Sequence, residues 1–193
     1  MTNFSRLFCC LNLILIALLW ASAPVSAQLK TDTREVEFEG YKISIPSRFE
    51  PVEVPNGSLP TQLKLAPYQA TLKGDVTEAL MFTTNKIPQA VDEAKKDIAK
   101  VSAGFLAGLM RSKQVKVGKP DNVKEIDWQS FKVTKISYSI SLSGGEKSLA
   151  QTYSFLDGEK MVCFVHVVYA GDANAMCESV DAAFLRGKDK KVK

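Results

Sequence analysis

Histidine is nearly missing from this chain: one, His166, stands among 193 residues. Zinc or copper centres built on several imidazoles are thereby excluded, and no histidine pair exists to hold a metal-bound water. Charge of one sign is also scarce. Twenty-five basic residues face 21 acidic ones, a formal net charge of +4, too small to argue for nucleic acid as a partner. The excess is local: Arg186, Lys188, Lys190, Lys191 and Lys193 crowd the last eight positions against one acid, Asp189. That tail is the one strip suited to an anionic lipid surface or an acidic partner; a solvated end is the plainer reading. No Gly-x-Ser-x-Gly elbow, Walker loop or dinucleotide glycine fingerprint occurs, which removes the familiar hydrolase, nucleotide and cofactor signatures. No repeat or low-complexity block interrupts the chain.

Long apolar runs are confined to one place. Arg6 sits in a short polar start, Leu7 to Trp20 is almost wholly apolar, and small residues follow, ending Val25-Ser26-Ala27 before Gln28. A charged start, an apolar stretch and a small-x-small site are the three parts of a secretory signal. The stretch is short for a membrane span, which takes ~20 apolar residues. Cys9 and Cys10 lie at its front, the wrong end for a lipid-bearing cysteine. The expectation is therefore a signal over residues 1–27 cleaved near Ala27, one domain over 28–187, and a basic tail over 188–193. The product is periplasmic or secreted.

Two cysteines remain in the body, Cys163 and Cys177. An oxidising compartment invites a disulfide between them; two buried free thiols are the alternative, because cysteine packs well as a small hydrophobe. The spacing does not decide between them.

Alternation and turn residues outline the fold. Glu35 to Ile45 reads as two short strands around Gly40, the second ended by Pro46, which fixes φ and removes a ladder donor. Four prolines between Pro46 and Pro60, with Asn56-Gly57, mark a loop with a brief extended piece at Val52–Val54. Strands follow at Leu63–Leu65 and Ala79–Ile87. Val91, Ala94, Ile98, Val101, Phe105 and Leu109 recur at helical steps, predicting one long helix from Pro88 to Met110. Gly104 and Gly108 thin its end.

Trp128 to Leu142 alternates, but the phase slips between Val133 and Ile136, predicting a β-bulge at Thr134-Lys135. Gly144-Gly145 predicts a two-residue turn that sets Ile140 opposite Leu149 and Ile136 opposite Tyr153. Asp157-Gly158 turns the chain again. Met161 to Tyr169 is apolar at both parities except at His166, the pattern of a central strand covered on both faces. A last helix runs from Asp172 as N-cap to Leu185, with Ala173, Met176, Cys177, Val180, Ala183 and Phe184 inward and Gly187 as its stop. The fold class is α/β (α+β): a mainly antiparallel sheet packed by a long central helix and a C-terminal helix.

Chemistry-bearing residues do not converge in this reading. His166 lies amid Phe164, Val165, Val167 and Val168, as a packed histidine would, and Cys163, three residues away, falls on the opposite strand face. The carboxylates Asp92-Glu93, Asp121, Glu125-Asp127 and Asp157-Glu159 read as helix faces and turns. No catalytic, metal or cofactor residue is assigned.

The order of these pieces resembles the PsbP-like fold, an α/β sandwich shared by a lumenal photosystem subunit, a small Ran-binding nuclear factor and exported bacterial proteins. The resemblance is carried by Gly40-Tyr41-Lys42-Ile43-Ser44-Ile45-Pro46, the Val91–Leu109 helix, the Trp128–Tyr169 meander and the Ser179-Val180-Asp181-Ala182-Ala183-Phe184 helix. It implies a non-enzymatic binding or accessory module whose partner is another protein or an envelope component. Two other functions are carried forward: a carrier of a small apolar ligand or lipid, in a pocket between the sheet and the Val91–Leu109 helix, and, more remotely, a secreted hydrolase using the scattered carboxylates.

Overall fold

Antiparallel pairing accounts for every strand of the structure. A computed structural model describes residues 32–54, 63–87, 91–110, 115–142 and 144–186; all fall within the unit Asp32–Lys193. The strands are β1 (Thr33–Phe38), β2 (Tyr41–Pro46), β3 (Glu50–Pro51), β4 (Leu63–Leu72), β5 (Asp75–Lys86), β6 (Lys116–Trp128), β7 (Phe131–Ser141), β8 (Lys147–Asp157) and β9 (Lys160–Val168). The helices are α1 (Val91–Lys96), α2 (Ile98–Met110) and α3 (Ala173–Arg186). β1 and β2 form their own hairpin, and the rest make a seven-stranded sheet in the order β3-β4-β5-β9-β8-β7-β6. β9 lies in the middle of that order, and all its residues after Lys160 are buried, as its unbroken apolar run requires.

The sheet carries a separate core on each face. On one side the β1–β2 hairpin and α3 cover Leu80, Phe82, Val133, Tyr153, Phe155, Val162 and Phe164. On the other, α2 covers Ile136, Tyr138, Ile140, Ala150, Cys163, Val165 and Val167. Trp128 belongs to the first core. It stacks on Phe184 of α3 at 4.9 Å between centroids, and its indole N–H donates to the Phe184 carbonyl at 3.1 Å.

The two cores correct the expected bulge in β7. Its register against β8 runs unbroken from Thr134 to Ser141. The slip in phase arises because Phe131 and Val133 serve the α3 side while Ile136, Tyr138 and Ile140 serve the α2 side. The irregular pairing lies in β6, between Val117 and Asn122. β6 carries no strand pattern in its sequence: Lys119-Pro120-Asp121-Asn122 has turn composition, yet it forms part of an edge strand. Trp128 accordingly closes β6 and pairs with Phe131, rather than opening the next strand.

The Gly144-Gly145 turn is also corrected. Leu142 N–H donates to the Glu146 carbonyl at 2.9 Å, so three residues separate the paired ends rather than two. Ile140 then faces Ser148, and Ile136 faces Thr152. Gly145 has φ +80°, the left-handed residue that a three-residue hairpin loop calls for. A further hairpin, β4–β5, turns through Lys73 and Gly74, both at positive φ.

The single long helix is two. Asp97 separates α1 from α2 and accepts the Lys100 amide on its carboxylate at 2.9 Å, which makes it the N-cap of α2. The buried line is Ala94, Ser102, Leu106 and Met110, with Val101 and Phe105 half-buried beside it. At the other end, Asp172 caps α3 as expected, accepting the amides of Asn174 and Ala175, both at 3.1 Å.

Candidate functional site

The polar residues that the sequence scatters meet beneath α3. Strand alternation turns Glu78 to the same face as Leu80 and Phe82 in β5. His166 of β9 pairs with Leu80 on one side and Gln151 of β8 on the other, so Glu78 is its diagonal neighbour. Arg48, just beyond β2, reaches over this row. Its Nε donates to Glu78 Oε1 at 2.6 Å and its Nη2 to Oε2 at 2.8 Å, a bidentate ion pair. Its Nη1 donates to the Ser179 hydroxyl of α3 at 2.7 Å. His166 Nε2 lies 2.9 Å from Glu78 Oε2, and His166 Nδ1 lies 3.9 Å from Cys177 Sγ on α3. Glu78 and His166 are wholly buried, and the Phe49 ring meets the imidazole edge-on at 6.0 Å.

Charge and burial decide where the protons sit. Burial alone would raise the Glu78 carboxyl, but the hydrogen bonds and charges of Arg48 and His166 outweigh it and hold it at about 2. An ionised carboxylate only accepts, so His166 donates from Nε2. On the other side of the ring, Nδ1 faces the Cys177 thiol at 3.9 Å. That thiol is pushed up to about 12, first by burial and then by the Asp181 charge. The order Cys177–His166–Glu78 is that of a nucleophile, a base and an orienting carboxylate. Here the thiol is protonated, α3 covers it, and Arg48 occupies the carboxylate. As folded, the cluster's work is to fasten α3 to β5 and β9.

A second polar contact sits one turn along α3. Asp181 accepts from Lys135 of β7 and from the Tyr153 hydroxyl of β8. Burial, followed by the Asp181 charge and hydrogen bond, raises the Tyr153 phenol well above its ordinary range.

The cysteines are both free and buried. Cys163 packs on the α2 side, where the Ser154 hydroxyl donates to its sulfur at 3.2 Å and burial pushes its thiol up to about 11. Cys177 faces His166, on the other side of the sheet. β9 lies between them.

The scattered carboxylates stay scattered. Asp121 accepts from Ser139, Asp127 pairs with Lys132, Glu93 with Lys100, and Asp157 accepts from the Tyr41 hydroxyl at 2.5 Å. Among the described residues no group of three or more His, Cys, Asp or Glu could hold a metal ion, and no helix is long and apolar enough to cross a membrane. Gly104 and Gly108, expected to border an apolar pocket, are both exposed, and a Cβ on either would meet no atom within 4 Å. An open groove of about 530 Å³ does lie between α1 and the β8–β9 turn. Asp92, Lys95 and Glu159 line it together with Val91, Leu156 and Gly158, a mixed rather than apolar wall. The leader, Pro55–Pro60, Pro88, Gly187 and the basic tail lie outside the described residues.

Sequence reasoning missed Arg48, Glu78, Ser179 and Asp181 as partners. One signal was present: a lone histidine in a doubly covered strand needs a buried polar partner, and Glu78 stands directly before the apolar run Ala79-Leu80-Met81-Phe82.

No protein-family model matches the chain, and no curated protein matches it in sequence. Solved structures do. Cyanobacterial PsbP from Synechocystis sp. PCC 6803 aligns with a TM-score of 0.55 at 15% identity, over 79% of this chain and 91% of that one. A Bacteroides thetaiotaomicron protein aligns at 0.46 and 10% identity over 78% of this chain, which spans about half (47%) of its length. A Pseudomonas aeruginosa protein of unknown function aligns at 0.43 and 11% identity, over 83% and 96% of the two chains. With its meander sheet, paired hairpin and covering helices, this chain has the PsbP-like fold.

Proposed function

We propose that this chain is an exported, non-enzymatic binding or accessory protein that acts by contact with another protein of the cell envelope. The observation that carries the reading is the commitment of its one histidine. His166 is the side chain best suited to proton transfer near neutral pH, and it is fully buried between Glu78 and Cys177 under α3. The PsbP-like fold supports an accessory role by analogy of architecture. Export follows from the leader, removed near Ala27, and the basic tail at 188–193 is the segment through which an anionic membrane surface would be met.

The test joins location to chemistry. Protein recovered from the envelope fraction should begin at Gln28, and in-cell cross-linking from exposed positions such as Val123 should trap one discrete protein adduct. Turnover of an ester, peptide or phosphate substrate, abolished by His166→Gln in a protein that keeps its circular dichroism, overturns the proposal.

A further inference from the structure

We draw no further inference here: the strongest candidate, the outward face of α2 formed by Gly104, Ala107 and Gly108, is an unpartnered apolar surface, and nothing in the structure shows what covers it.

Discussion

Replacing Arg48 by methionine removes three hydrogen bonds at once: two to the Glu78 carboxylate and one to Ser179. Glu78 sits at about 2 against an ordinary 4.5, which corresponds to about 3 kcal/mol of stability at neutral pH. The folded value lies below the unfolded one. The contribution is therefore complete above the unfolded value and disappears as pH falls through about 2. In Arg48→Met the carboxylate stays buried with only His166 to answer it, and breaking a buried pair in this way costs about 3–5 kcal/mol. Urea denaturation followed by far-UV circular dichroism should show that loss at pH 7. The gap from the parent protein should narrow between pH 5 and pH 3, because the variant's unpaired carboxyl can take up a proton there, while the parent's stays ionised and loses its advantage as the unfolded carboxyl protonates below 4.5. The double variant Arg48→Met, Glu78→Met should recover part of the loss at pH 7, since no unpaired charge remains. A deficit below about 1 kcal/mol, or a gap unchanged between pH 7 and pH 3, would refute the claim that Arg48, paired with Glu78 on β5 and bonded to Ser179 on α3, holds the two elements together.

The apolar core beneath α3 makes its own demands. Phe184→Ala removes the ring that stacks on Trp128 and meets Tyr153 at a tilt and should cost about 3–5 kcal/mol in the same denaturation assay; a loss near 1 kcal/mol would mean that α3 packs more loosely than described. Two glycines should respond in opposite directions. Gly104→Ala adds a Cβ into open space on a helix and should stabilise by about 1 kcal/mol. Gly118→Ala places its Cβ 2.7 Å from the Ser139 carbonyl oxygen and should destabilise by about 1–3 kcal/mol; equal effects would contradict the close approach of β6 to β7. For the cysteines, alkylation after denaturation without reductant should label both Cys163 and Cys177, each found by peptide mapping. A linked pair of peptides would place them on one side of the sheet.

Local pattern carried the fold a long way. The hairpin at Gly40, the central position of β9 and the Asp172 cap each depend on residues within one element or one turn. The readings that failed depended on something farther off. The phase of β7 looked like a bulge because alternation reports which face is apolar, and this strand changes face partway along. The loop at Gly144-Gly145 admitted either of two lengths, and which pairing results is decided by where Gly145 adopts positive φ. α2 is apolar on most of its circumference, so helical steps could not select its buried line. Nothing in the apolar spacing marks Asp97, whose carboxylate is the cap that divides the helix.

The cluster under α3 was the least legible part, for a reason rooted in how charges are paired. Arg48 and Glu78 are 30 residues apart, and Glu78 and His166 are 88 apart; no helical or strand period connects such separations. Sheet topology does. With β5 and β9 adjacent and antiparallel, Leu80 falls opposite His166, and alternation then brings Glu78 alongside the imidazole. Once buried there, the carboxylate requires a cation, and Arg48 supplies it while keeping its side chain 23% exposed. The same guanidinium binds Ser179, so the charge needed to neutralise β5 also sets where α3 lands. Moving α3 by one residue would turn Ser179 away from Arg48 and Asp181 away from Lys135 and Tyr153 together. Apolar residues on the helix would tolerate that slide far better than these directional contacts do, which makes the polar row the feature that selects a single docking position.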